Sequence, residues 1–128
     1  MERKILLVDD DELILLSLED LLRSAGYHVR CASGGKEALE IASREAFDLV
    51  ILDVVMPGLS GLDVCRSLRA DPAHSRTPVV LFTAKSSPVD REKGVEAGAT
   101  EFLPKPFNPV ELLKVVATQL GRSRGEPG

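Results

Sequence analysis

A chain of 128 residues and 13.8 kDa is long enough for one domain with its own core, without metal or disulfide staples. Its 44% hydrophobic and 28% charged residues exclude collagen, coiled coil and wholesale disorder. A net charge of −4 with no Trp and one Tyr supplies neither the positive field nor the stacking aromatics of a nucleic-acid binder.

The opening Met1-Glu2-Arg3-Lys4 leads into only four apolar residues, Ile5–Val8, whereas a secretory signal needs an apolar region of about 7–15. No stretch approaches the roughly 18 apolar residues of a membrane span, so a soluble, cytoplasmic protein without a membrane partner is expected. Ile5–Val8 is a short unbroken apolar run and predicts a strand buried on both faces. Asp9, Asp10 and Asp11 follow it, and one of them is expected to cap the next helix. That helix carries Ile14, Leu18, Leu21, Leu22 and Ala25 at helical spacing and ends at Gly26. Tyr27–Ala32 is a weaker strand, and Ser33 precedes a second helix with Ala38, Leu39 and Ala42.

Leu49–Leu52 is a second fully apolar strand, ending at Asp53. A helix from about Leu62 to Ala70 is stopped by Asp71-Pro72. Val79–Phe82 is the third apolar strand and ends at Thr83; a helix from about Val89 to Ala97 is closed by Gly98. Thr100–Pro104 is a weaker strand that runs out at Lys105. Asn108-Pro109 opens the last helix, with Leu113, Val116, Ala117 and Leu120 on one face and Gly121 as its expected end. Five strand–helix pairs predict an α/β fold, a doubly wound parallel sheet with right-handed crossovers. Residues 122–128 have no large apolar side chain and read as a disordered tail or the start of a linker.

In such a sheet, ligands bind outside the carboxyl ends of the strands. Asp9, Asp10, Asp53, Thr83 and Lys105 all stand at strand ends, so one surface should gather several carboxylates, a hydroxyl and a lysine. Converging carboxylates repel, and a divalent cation is the expected remedy. Singly, each residue has an ordinary reading: an Asp as a helix cap, Thr83 as a strand former, Lys105 as a surface charge. Asp53 is the least ordinary, because it ends an apolar strand and begins no obvious helix.

The stretches Leu7-Val8-Asp9-Asp10, Asp53-Val54-Val55-Met56-Pro57-Gly58-Leu59-Ser60-Gly61, Phe82-Thr83-Ala84 and Gly98-Ala99-Thr100-Glu101-Phe102-Leu103-Pro104-Lys105-Pro106-Phe107 resemble the CheY-like receiver domain of two-component response regulators, over about residues 3–121. The resemblance implies a five-stranded flavodoxin-like sheet in the order 2-1-3-4-5, with residues 1–121 as the receiver domain. It implies that Asp53 accepts a phosphoryl group from a sensor histidine kinase or a histidine phosphotransfer protein. Asp9, Asp10, Asp53 and the main-chain carbonyl of Val55 would hold Mg²⁺, with Asp11 leaving the frame of the acidic pair open by one residue. Lys105 would pair with a phosphoryl oxygen, Thr83 and Phe102 would be the switch pair, and the Lys105–Pro106 bond would be cis. The face made by the fourth helix, fifth strand and fifth helix would then signal to a downstream protein or a fused output domain. The molecule would be a monomer or a weak phosphorylation-dependent dimer, a switch that catalyses only its own phosphorylation and dephosphorylation. Pro104 suits an edge strand, which this order makes the fifth.

Three other readings compete. A dehalogenase-like phosphatase would want a second Asp two residues after its nucleophile, where this chain has Val55. A flavodoxin-like mononucleotide binder would want a Gly- or Ser/Thr-rich phosphate loop after the first strand, where this chain has three acids. A receiver degenerated into a binding module would not need Asp10, Asp53, Thr83 and Lys105 together. Cys31 and Cys65 lie in apolar stretches and read as buried reduced thiols. His28 reads as a strand side chain and His74 as a surface or half-buried loop residue between Pro72 and Pro78, neither a phosphocarrier.

Overall fold

The computed structural model describes residues 3–123. Strands and helices alternate along the chain as β1 (Lys4–Val8), α1 (Glu12–Ser24), β2 (His28–Ala32), α2 (Gly35–Ala42), β3 (Leu49–Leu52), α3 (Gly61–Ala70), β4 (Val79–Thr83), α4 (Pro88–Ala97), β5 (Glu101–Pro104) and α5 (Pro109–Ser123). All neighbouring strands are parallel, in the order β2-β1-β3-β4-β5. The three apolar runs are the three central strands. Because successive strand side chains point to opposite faces, each run feeds two cores. Leu6, Val8, Val50, Leu52, Val79 and Leu81 pack with Ala38, Val64, Cys65, Leu68 and Ala97 on one side. Ile5, Leu7, Leu49, Ile51, Val80 and Phe82 pack with Leu18, Leu22, Leu112 and Val116 on the other.

The helix starts follow from local chemistry. Asp11 is the cap of α1, its carboxylate accepting from the N–H of Leu13 at 3.0 Å and of Ile14 at 3.4 Å. Ser60 and Ser87 each form a reciprocal capping box, with Asp63 and Asp90. Asn108 Oδ1 accepts from Val110 N–H at 2.8 Å, with Pro109 opening α5.

Three expectations need correction. α5 continues past Gly121 to Ser123. A glycine ends a helix by turning left-handed, as Gly26 (φ +97°) and Gly98 (φ +105°) do; Gly121 does not, and inside a helix it costs only about 1 kcal/mol. Residues 124–128 of the expected tail lie outside the described residues. His74 is fully buried rather than superficial: its ring stacks on Phe47 with centroids 6.4 Å apart, and its Nδ1 lies 3.4 Å from Asp71 Oδ2. Arg69 folds the loop carrying it inward, donating to the carbonyls of His74 (3.0 Å) and Thr77 (2.6 Å) and also to that of Gly98 (2.9 Å). Cys31 is only half-buried while Cys65 is buried; both are free. Burial, with Glu19 adding to it, pushes the Cys31 thiol up to about 11.

At the sheet edge, the Lys105 N–H donates back to the Thr83 carbonyl at 2.9 Å. The main-chain groups of the alternate residues Phe102 and Pro104 therefore point away from β4. The outward N–H of Phe102 donates to Glu101 Oε1 at 2.9 Å. Among the described residues, no helix is long and apolar enough to cross a membrane.

Candidate functional site

Parallel strands in register carry their last residues to one level, and the polar residues that follow meet there. Asp9 leaves β1 with its N–H on the Ala32 carbonyl at 3.2 Å, and Asp53 leaves β3 with its N–H on the Val8 carbonyl at 3.1 Å. Both side chains are almost wholly buried, at 0% and 6% residue exposure. Each is aimed by a main-chain donor two residues on: Asp11 N–H to Asp9 Oδ1 at 2.9 Å, and Val55 N–H to Asp53 Oδ1 at 3.2 Å. Their remaining oxygens share one cation. Lys105 Nζ donates to Asp9 Oδ2 at 2.9 Å and to Asp53 Oδ2 at 3.1 Å. Burial works against the charge on Lys105, but these two carboxylates outweigh it and hold the ammonium above the usual lysine value. The ammonium also stands over the Phe82 ring, 4.6 Å from its centroid.

Lys105 is carried into this position by the bond of its N–H to Thr83 and is followed by a cis peptide to Pro106. Thr83 is fully buried, and its Oγ1 accepts the Lys85 N–H at 3.2 Å. Asp10, the third acid, is exposed. Carboxylate oxygens of Asp9, Asp10 and Asp53 all lie within 4.8 Å of one another. An all-oxygen set with one exposed member, open to water, fits Mg²⁺, which keeps several waters and takes few carboxylates.

The loop after Asp53 is closed by α3. Gly61 N–H donates to the Val54 carbonyl at 2.9 Å. A Cβ at Gly61 would collide with the Asp53 carbonyl oxygen and stand 2.8 Å from Leu52 Cδ1, so only glycine lets the helix start so near the acid. Val55 on this loop is about half exposed.

Asp9, Asp10, Asp53, Lys105 and Thr83 are thus gathered at one end of the sheet, while Phe102 packs at α4 instead. Its half-buried ring lies 5.1 Å from the Arg91 guanidinium and beside Gly94, next to a cavity of about 180 Å³ shared with Val95 and Glu101. Two contributors stand in the quoted stretches without an assigned role. Gly61 closes the Asp53–Gly61 stretch, with nothing local to show its contact with the acid. Phe82 offers a signal, as the lone aromatic of the apolar run Val79–Phe82, standing just before Thr83.

Comparison with known proteins agrees with this arrangement. The family described as response regulator receiver domain matches residues 5–117. The DNA-binding response regulator MtrA of Mycolicibacterium smegmatis is 42% identical over 99% of this chain. The match covers 54% of that protein, so the chain spans about half the length of the curated relatives it matches. Among solved structures, the chemotaxis response regulator CheY4 of Vibrio cholerae superposes with a TM-score of 0.89 at 37% identity, covering 93% of this chain and 99% of that one. The receiver domain of the sensor histidine kinase PA1611 of Pseudomonas aeruginosa, solved with a magnesium ion coordinated in its active site cleft, superposes with a TM-score of 0.88 at 33% identity, covering 94% and 99%. With the strand order, the acid cluster and these matches in agreement, the chain belongs to the response regulator receiver domains of two-component signalling.

Proposed function

We propose that this receiver takes a phosphoryl group onto Asp53 from a phosphohistidine of a sensor histidine kinase or a histidine phosphotransfer protein, and reports it through the face of α4, β5 and α5. The observation that carries the reading is the single ammonium of Lys105 shared by Asp9 and Asp53. It gives the Asp53 carboxylate, an oxygen nucleophile in a nearly closed site, a cation at hand for a new anionic group. In the transfer, a carboxylate oxygen of Asp53 bonds to phosphorus as the phosphorus–nitrogen bond to the donor imidazole breaks. Asp9, Asp10, Asp53 and the Val55 carbonyl would hold Mg²⁺, which when bound neutralises charge on the moving phosphoryl group.

Lys105 then exchanges one carboxylate oxygen for a phosphoryl oxygen. Thr83 currently uses a lone pair toward Lys85, which leaves its hydroxyl hydrogen to donate to the phosphoryl group. Small Ala84 next to it leaves room for that shift, and Phe102 turns inward behind it, changing the face that also bears Glu111 and Lys114. Leu13 and Leu16 of α1 are largely exposed, an apolar surface on the helix that Asp11 caps. The MtrA relatives are about twice as long and are named DNA-binding, which supports an output module joined to this receiver as its downstream partner.

The test is incubation with Mg²⁺ and a small phosphodonor, followed by intact mass. The wild type should gain one labile phosphoryl group and Asp53→Asn none. Hydrogen exchange should change around Phe102, Glu111 and Lys114 on phosphorylation. Exchange that changes only beside Asp53 would reject the proposed output face.

A further inference from the structure

We propose that Phe82 is a positioning residue for the phosphoryl transfer, its ring face forming the platform on which the Lys105 ammonium stays anchored while one of its hydrogen bonds changes partner. The proposal rests on the phosphoacceptor reading above and adds a residue to it.

An ammonium has three N–H donors. Two go to Asp9 Oδ2 and Asp53 Oδ2, at 2.9 and 3.1 Å. The Lys105 side chain is only 18% exposed, so water offers little further solvation. The Phe82 ring supplies what water does not, with its centroid 4.6 Å from Nζ, well inside the roughly 6 Å at which a ring face attracts a cation.

The two kinds of contact behave differently when the site works. Asp53 loses its free carboxylate on becoming an acyl phosphate, so its hydrogen bond to Lys105 must be remade to a phosphoryl oxygen, while Asp9 is asked to face Mg²⁺ as well. Attraction to a ring face does not depend on which oxygen the N–H groups point at, so it persists through the exchange. An aliphatic side chain would fill the same space and leave the ammonium with no partner beneath it.

The platform is itself rigid. Phe82 is fully buried in β4 and meets Phe107 edge to face, with centroids 6.3 Å apart and planes at 74°. Phe107 lies two residues beyond Lys105, so the segment that carries the lysine also braces the ring beneath it.

The test replaces Phe82 with 4-fluoro-, 3,5-difluoro- and 3,4,5-trifluorophenylalanine, which nearly keep the ring's shape while draining the negative charge from its face. The rate of phosphorylation by acetyl phosphate in saturating Mg²⁺ is read by intact mass. We expect the rate to fall stepwise with fluorine number, by about fivefold or more across the series, the range of a cation–π contact of roughly 1 kcal/mol or more. A rate that does not order with fluorine number, whether unchanged or lowered equally by all three rings, overturns the role of Phe82 and leaves the phosphoacceptor reading standing. Phosphorylation that persists in Asp53→Asn, or fails in the wild type, overturns that reading itself.

Discussion

Lys105 and Asp53 are 52 residues apart in the chain and 3.1 Å apart in space, ammonium to carboxylate. The same ammonium lies 2.9 Å from Asp9. One cation therefore keeps two nearly buried acids from repelling each other before any metal arrives.

Replacing that cation by a neutral side chain of similar length measures its role. Lys105→Met should lower stability at neutral pH by about 2–3 kcal/mol, somewhat less than the ~3–5 of a fully buried pair left half-broken. Mg²⁺ should stabilise the variant more than the wild type, since it supplies the missing charge. The folded-state value of Lys105 is raised, so its contribution is complete below the ordinary lysine value of 10.5 and is lost as pH rises through the folded one. Urea unfolding should show a constant wild-type advantage from about pH 7 to about pH 9 that shrinks only in stronger alkali. An advantage that already fades near neutrality would place the stabilisation elsewhere.

Asp10 is the exposed member of the acid cluster. Asp10→Ala should weaken Mg²⁺ at least as much as the roughly 10–100-fold typical of losing an outer-shell partner, and should abolish phosphorylation by a small donor. Calorimetric titration with Mg²⁺ and intact mass read the two effects. Full phosphorylation of this variant would move the metal away from the end of β1.

Lifetime of the acyl phosphate should depend on Val55, two residues beyond the acceptor. Its branched side chain has no group to orient a water and would shield the phosphorus, and Lys85, two residues after Thr83, would add a positive screen by pairing with phosphoryl oxygens. Val55→Asn should speed loss of the phosphoryl group, each 1.4 kcal/mol of barrier counting about tenfold. Decay followed side by side in Mg²⁺ tests this. Equal or slower decay in the variant would show that water access here does not set the lifetime.

The close approach of α3 to the acceptor loop predicts a steric effect without any change of charge. Gly61→Ala should cost about 1–3 kcal/mol, because the added methyl meets main chain that cannot swing aside. Phosphorylation should slow as well, since the displaced atoms belong to Asp53. A urea midpoint equal to the wild type's would mean that the helix start moves freely.

Much of this was legible along the chain because it is local. Ile5–Val8, Leu49–Leu52 and Val79–Phe82 announce strands buried on both faces, and a helix stopped at Asp71-Pro72 or opened at Asn108-Pro109 announces its own boundary. The gathering of Asp9, Asp53 and Lys105 followed from placing the ends of parallel strands together. What stayed hidden depends on distant residues. His74 has no periodicity around it; its burial is decided by Phe47, 27 positions earlier, and by the carbonyls that Arg69 collects. Nothing near Gly121 shows whether it will turn left-handed. That Phe82 lies under an ammonium is a relation between β4 and the segment that follows β5, invisible in either alone.

The outer margin of β5 has a consequence for association. Its two outward positions offer no free N–H: Pro104 has none, and that of Phe102 is taken by the Glu101 carboxylate. A row of open donors is what lets one sheet be extended by a strand from another molecule, the route to edge-to-edge aggregation. This margin is a poor template of that kind, with only its outward carbonyls left to accept. Whatever settles beside β5, a second copy included, must rely largely on side chains rather than on a full sixth-strand ladder, a grip that loosens when those side chains rearrange.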